Sequence, residues 1–168
     1  HPQPRIQLAS ALPLGCTSEA EIADIWLSNA LAPDVIGKRL CGVLPPGIEI
    51  SSIVVVATKE KSLQSRLLSA VYESYSTSSC LTGQLSKNVD CLLGRKHVAR
   101  SRRGRDYDLR PLIEQLVVKE NADGAALLVM KLAARPGATG RPDEVMRELD
   151  VAEYRLHRTE LVFIDKLD

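Results

Sequence analysis

The chain is poor in aromatic rings, since one Phe, one Trp and four Tyr are all it has in 168 residues. Recognition of single-stranded bases by stacking therefore has a thin inventory, and any nucleic acid would be held by its backbone. The four cysteines, Cys16, Cys41, Cys80 and Cys91, stand far apart, with no C-x-x-C pair and no His at ligand spacing. That excludes a zinc ribbon or a cysteine-held cluster and suits buried free thiols in a reducing compartment. No apolar run nears the roughly 20 residues of a membrane span, the longest being residues 53–57 and 125–130. A signal-peptide pattern is missing as well. So are a Gly-x-Ser-x-Gly elbow, a cysteine with a nearby His and carboxylate, and a G-x-x-x-x-G-K-[ST] loop, so no catalytic residue and no metal ligand is assigned.

What the chain does have is a concentration of positive charge. Its formal net charge is only +1, yet residues 95–110 hold Arg95, Lys96, Arg100, Arg102, Arg103, Arg105 and Arg110 against Asp106 and Asp108. Arginine outnumbers lysine six to one there, which favours forked contacts to phosphate oxygens. Two short strands joined at Arg103-Gly104 would present these side chains as a cationic ribbon that follows an RNA backbone without reading bases. These seven residues are the candidate nucleic-acid-binding set, against the plainer reading of a solvated hairpin. Within Asp108-Leu109-Arg110-Pro111, proline holds Arg110 extended. Two readings stay open there, a strand-entry bracket and a fixed anion-binding arginine.

Around that run, strand and helix signals alternate. Residues 5–14 and 20–28 read as strands returning antiparallel on each other across a turn at 16–20. Pro33-Asp34 opens a helix with a stripe of Val35, Ile36, Leu40, Val43 and Leu44, which Pro45-Pro46-Gly47 ends. The β-branched residues 48–58 read as the next strand. Residues 60–69 suit a short helical connector, 70–76 a strand, 74–79 a polar loop, and 81–93 a helix carrying Leu85, Val89, Leu92 and Leu93. After the basic run come strands at 112–119 and 125–133 about an Asn121-Ala122-Asp123-Gly124 turn, then a Gly/Pro loop at 135–140. A helix opened by Arg141-Pro142-Asp143-Glu144 turns Val145, Met146 and Leu149 inward, and a strand at 154–164 closes the chain.

Strand, hairpin strand, Pro-Asp helix, strand describes both residues 5–58 and residues 112–164, which is an internal repeat. The strand at 70–76 and the helix at 81–93 complete the β-α-β-β-α-β order of a ferredoxin-like unit around the second copy. The expected fold is α+β, two ferredoxin-like halves side by side with antiparallel sheets. Residues 1–58 form a first half lacking its opening strand and helix, 59–69 a connector and 70–168 the second half. A half without its cover leaves apolar surface open, so self-association, or lower stability than a chain extended upstream, is expected.

Several segments carry a likeness to a known family: HPQPRIQLASALPLG at 1–15, SEAEIADIWL at 18–27, DLRPLI at 108–113, RPDEVMRELD at 141–150 and LHRTEL at 156–161. In that order they resemble the radical-SAM-linked family, a bacterial and plastid-type domain of unknown function encoded beside, or fused behind, a cobalamin-binding radical SAM protein. In that family the HP-x-P segment follows a strand and helix of pattern R-F-x-S-H-x-D, which agrees with the shortened first half. Cys16, Cys41 and the irregular segment 74–79 depart from the family's pattern. The resemblance implies an accessory domain in the cytoplasm or plastid stroma. The C-x-x-x-C-x-x-C motif of radical SAM enzymes is absent here. A 4Fe-4S cluster, S-adenosylmethionine and cobalamin would therefore belong to a fused or neighbouring enzyme.

The remaining candidates have modest readings. His157 and Arg158 point to opposite faces of a strand, with no ligand at metal spacing, so His157 is taken as structural. His97, inside the basic run, is equally a phosphate contact or an exposed residue. Trp26 suits core-edge packing, and the Gly-rich residues 137–140 suit a plain loop over a phosphate cradle between Arg135 and Arg141. The function expected is a non-catalytic substrate-recognition domain of a radical SAM system that binds RNA through the basic hairpin. The alternative is a protein-interaction module docking that enzyme, and the third reading is an unrecognised enzyme.

Overall fold

The computed structural model describes residues 5–57, 59–76, 82–102, 104–120 and 126–164. In chain order they form β1 (Ile6–Leu8), β2 (Cys16–Ser18), β3 (Ala23–Ile25), α1 (Pro33–Cys41), α2 (Leu63–Arg66), β4 (Leu67–Ser76) and α3 (Thr82–Gly94). Then follow β5 (Ala99–Arg102), β6 (Arg105–Asp108), a 3-10 turn (Arg110–Leu112), β7 (Ile113–Glu120), β8 (Ala126–Arg135), β9 (Ala138–Thr139), α4 (Pro142–Glu148) and β10 (Tyr154–Phe163). The class is α+β, with antiparallel and mixed sheets.

The main sheet runs β2-β10-β4-β8-β7. Its β4–β8, β7–β8 and β4–β10 pairs are antiparallel, and β2 joins β10 in parallel. Register places Ala70, Tyr72 and Ser74 of β4 on the same face as Leu132, Met130 and Leu128 of β8, and all six are buried. They share one core with Leu85, Val89 and Leu92 of α3 and Val145, Met146 and Leu149 of α4, the helical stripes expected from sequence. Burial of a Leu, Val or Met side chain on this scale contributes about 1.5–3 kcal/mol each. Between β4 and β10 the connections follow the expected β-α-β-β-α-β order, with the β5–β6 hairpin inserted after α3. The turn expected at Asn121-Ala122-Asp123-Gly124 and part of the 74–79 segment lie outside the described residues.

Residues 5–57 do not complete a second unit of this kind. β1 and β3 pair antiparallel as expected, though over three residues each. Residues 16–18, expected in a turn, instead leave as β2 for the edge of β10; three residues are too few to show a period. Residues 48–57 form no strand. Val54, Val55 and Val56 stay exposed, because β-branched composition describes fitness for a pleated surface and supplies no neighbouring edge. α1 forms where Pro33-Asp34 places it, but it buries none of its stripe. The expected 60–69 helix is one turn, Leu63–Arg66, after which the chain enters β4 at Leu67. Among the cysteines, Cys16 is a buried free thiol as expected, whereas Cys41 and Cys91 are free and exposed; Cys80 lies outside the described residues.

Gly140 lets β9 fold against β8. A Cβ there would stand 3.0 Å from the Leu112 carbonyl oxygen and 3.2 Å from the Leu132 Cβ, contacts tight enough that any larger residue would have to push these neighbours aside. No helix among the described residues is long and apolar enough to cross a membrane.

Candidate nucleic-acid interface

Within the basic run a hairpin forms as expected, though over residues 99–108 in place of 96–108, so that Arg95, Lys96 and Arg110 lie outside its strands; Arg102 stands opposite Arg105, Ser101 opposite Asp106, Arg100 opposite Tyr107 and Ala99 opposite Asp108. Gly104 turns it at φ 75°, a conformation that glycine adopts without strain. Arg103, the other turn residue, lies outside the described residues. At the base, the Leu109 N–H donates to the Val98 carbonyl at 2.8 Å, and both side chains are buried. The strands of the hairpin pair with each other alone, so the hairpin reaches the body through its base and its side chains.

Those side chains land on α4. Arg95 donates to Glu148 at 2.6 Å, and Arg100 pairs with the other oxygen of the same carboxylate. Arg102 gives its Nη2 to both oxygens of Glu144, at 3.1 and 3.2 Å. Tyr107 donates its hydroxyl to Glu144 and accepts from Arg102 at 2.9 Å. Burial first, and then the Glu144 carboxylate, push the Tyr107 hydroxyl above its ordinary range. Glu144 and Glu148 stand four residues apart and so share one face of α4. Arg102 Nε is buried without a hydrogen-bond partner among the described residues.

The remaining candidates divide between solvent and scaffold. Lys96 and Arg105 are exposed and hold no ion pair among the described residues. Arg110 gives Nε and Nη2 to the Leu93 carbonyl at 3.1 and 3.0 Å and Nη1 to the Ile113 carbonyl at 3.3 Å. Its fork thus closes the C-terminal turn of α3, whose last carbonyls have no partner within the helix. Asp108 accepts from the Val98 N–H at 2.8 Å and the Arg110 N–H at 3.0 Å, and lies 2.8 Å from His97 Nδ1. The Val98 amide, followed by His97, holds the Asp108 carboxyl below its ordinary value. Arg110, expected to be extended before Pro111, instead opens the 3-10 turn Arg110–Leu112, and its guanidinium is taken by backbone carbonyls, which favours the bracket over an anion-binding arginine. Arg135 and Arg141, flanking the Gly-rich loop, pair with Glu114 and Asp143, and that loop is the β8–β9 turn.

Sequence reasoning passed over three groups that matter here. Glu144 and Glu148 were visible as a helical i,i+4 pair, but nothing local said which cations they meet. Arg158, beside the weighed His157, is wholly buried. It forks onto Glu21 at 2.8 and 2.6 Å, donates to the carbonyls of Ala11 and Ser10, and reaches Tyr72. Nearby, burial raises the Cys16 thiol against the opposing pull of Arg158. His157 Nδ1 lies 2.8 Å from Thr17 Oγ1, tying β10 to β2 in the structural role expected. Trp26 is half-buried, with the Arg5 guanidinium 4.1 Å over its ring, and His1 lies outside the described residues. Among the described residues no three His, Cys, Asp or Glu side chains gather as a metal site.

These features define a class, an α+β protein whose charged hairpin is mounted on a helix-backed, largely antiparallel mixed sheet and which brings no metal-binding cluster together among the described residues. Residues 1–142 match the family described as an uncharacterized protein conserved in bacteria (DUF2344), and the chain belongs to that family. No curated protein matches it.

Proposed function

We propose that this chain is a non-catalytic accessory domain of a radical SAM system, in the cytoplasm or plastid stroma, that holds RNA along the β5–β6 hairpin. The cluster, S-adenosylmethionine and cobalamin belong, on this reading, to the fused or neighbouring enzyme. The observation that carries the RNA contact is the lay-out of the hairpin and the segment leading into it, with Lys96 before β5 and Arg105 on β6 exposed and unpaired among the described residues, Arg95 exposed beside Lys96, and Arg100 and Arg102 partly exposed on β5. Spaced cations without exposed aromatics suit a phosphate backbone. The β1–β3 pair followed by the Pro-Asp helix α1 repeats the order of β7, β8 and α4 without the closing strand, and that shared order is what supports reading the two halves as related ferredoxin-like units.

The test exploits the two unpaired cations. Reversing Arg100 or Arg102 would set glutamate against Glu148 or Glu144 and disturb the hairpin itself, whereas Lys96→Glu with Arg105→Glu leaves those pairs in place. Affinity for a single-stranded RNA is measured across a salt series. The double variant should bind more weakly, with a log–log salt slope shallower by roughly 1–1.5. A parent protein without salt-sensitive binding, or a variant with unchanged affinity and slope, would refute the RNA contact.

A second reading, docking onto the radical SAM enzyme, is favoured by the β1–β3 ribbon. Register puts Ile6, Leu8, Ala23 and Ile25 on one face and all four are exposed, while Gln7 and Asp24 on the other face are half-buried. Apolar residues on the outward face suit a protein partner. Ile6→Lys with Ile25→Lys should then abolish binding of the enzyme while sparing RNA affinity.

A further inference from the structure

The arginines best suited to a polyanion are the ones the fold has already occupied. Arg95 and Arg100 share Glu148, and Arg102 with Tyr107 takes Glu144 one helical turn earlier. α4 is held firmly, because Val145, Met146 and Leu149 are buried to 1% exposure or less. The hairpin is held less firmly. Beyond Val98 and Leu109, its two four-residue strands make backbone pairs with each other only, forming a lever roughly 13 Å long. The closed lever is also imperfectly paired. Arg102 serves both oxygens of Glu144 through Nη2 alone, and its buried Nε has no acceptor among the described residues. A guanidinium meets an oxyanion best through two nitrogens, which this carboxylate does not offer.

Resting on the RNA reading above, we infer that α4 is a built-in competitor for the hairpin. Glu144 and Glu148 occupy Arg95, Arg100 and Arg102 until a phosphate backbone, caught first by Lys96 and Arg105, exchanges with them. The hairpin then lifts from α4 about Val98 and Leu109, carrying Arg100 and Arg102 off their carboxylates, while Arg95, which precedes that hinge, changes partner in place; Arg102 gains access for Nε and Nη2 together. The device keeps the cationic ribbon closed to stray anions and opens it to a chain long enough to engage both the free and the occupied residues. Such intramolecular pairing lowers apparent affinity by the fraction of time the lever is closed.

The experiment uses the full chain, the variant Glu148→Gln, and Asp106→Asn as a control for charge. Asp106 sits on the hairpin, exposed, and makes no ion pair among the described residues. Two quantities are read: affinity for an oligouridylate at fixed salt, and hydrogen exchange of the β5 and β6 amides. Glu148→Gln should bind about three- to fivefold tighter and exchange its hairpin amides faster, while Asp106→Asn should do neither. The inference is overturned by equal gains in the two variants, which would be an effect of charge alone, or by tighter binding without faster exchange. Oligouridylate bound equally by parent and Glu148→Gln overturns the competitor and leaves the RNA reading standing. Oligouridylate bound by neither overturns both.

Discussion

Arg158 and Glu21 lie 137 residues apart in the chain and meet in a forked ion pair, Nε to Oε1 at 2.8 Å and Nη2 to Oε2 at 2.6 Å. The two ends of the pair are unlike, since the Arg158 side chain is wholly buried and Glu21 is 33% exposed. Loss of Glu21 strands a charge that cannot reach water, whereas loss of Arg158 leaves a carboxylate that can be solvated. Glu21→Ala should therefore cost about 2–4 kcal/mol, and Arg158→Met less. Urea denaturation of the two variants checks the order; equal losses would mean that Arg158 finds other partners.

Arg110 should behave as scaffold. Its fork serves two backbone carbonyls, at Leu93 and Ile113, a geometry that an ammonium cannot reproduce. Both Arg110→Lys and Arg110→Ala should lower stability by about 1–2 kcal/mol while leaving the salt slope of RNA binding unchanged. A thermal melt together with the salt series decides, and a changed slope with an unchanged melt would return Arg110 to the binding surface.

Gly140→Ala tests the packing of the β8–β9 turn. The added methyl would meet the Leu112 carbonyl oxygen at 3.0 Å and the Cβ atoms of Leu132 and Leu112 at 3.2 and 3.3 Å. Two of these contacts are to side chains fixed at Cβ and one is to backbone, so the turn has little room to yield. A loss of about 1–3 kcal/mol is expected in chemical denaturation; a variant as stable as the parent would show that Leu112 moves freely.

The base of the hairpin should loosen in acid. The carboxyl of Asp108 is held below its ordinary value by the Val98 amide and then by His97. A depressed carboxylate contributes stability that is fully present above its unfolded value, near pH 4, and that is lost as pH falls through the lower folded value. Exchange of the Val98 and Arg110 amides, corrected for intrinsic rates, should accelerate below about pH 4 in the parent. In Asp108→Asn it should be fast already and show no such step.

Much of the structure of residues 70–164 was legible in their sequence. The stripes Leu85-Val89-Leu92 and Val145-Met146-Leu149 fall at helical spacing, and the long alternation of β8 puts every second residue in the core, so local periodicity and burial agree. Residues 5–57 were less legible for the same reason. α1 has a stripe that would suit burial, and residues 48–57 have the composition of a strand, yet each needs a partner surface that its own residues do not supply. The candidate site was half legible: the hairpin, its turn at Gly104 and its cations could be read, while Glu144, Glu148 and Tyr107 could not be assigned to them.

Residues alone determined the local preferences of this protein, namely where arginine is dense, where glycine and proline punctuate, and which helices and strands have an apolar side. Those follow from side-chain chemistry acting over a few residues. Only the tertiary structure decided which charges are spoken for. Arg95, Arg100 and Arg102 meet carboxylates more than 40 residues away, and Arg158 meets one 137 residues away, because Coulomb attraction and burial depend on distance in space. Lys96 and Arg105 resemble their neighbours in sequence, and what sets them apart is where α4 lies.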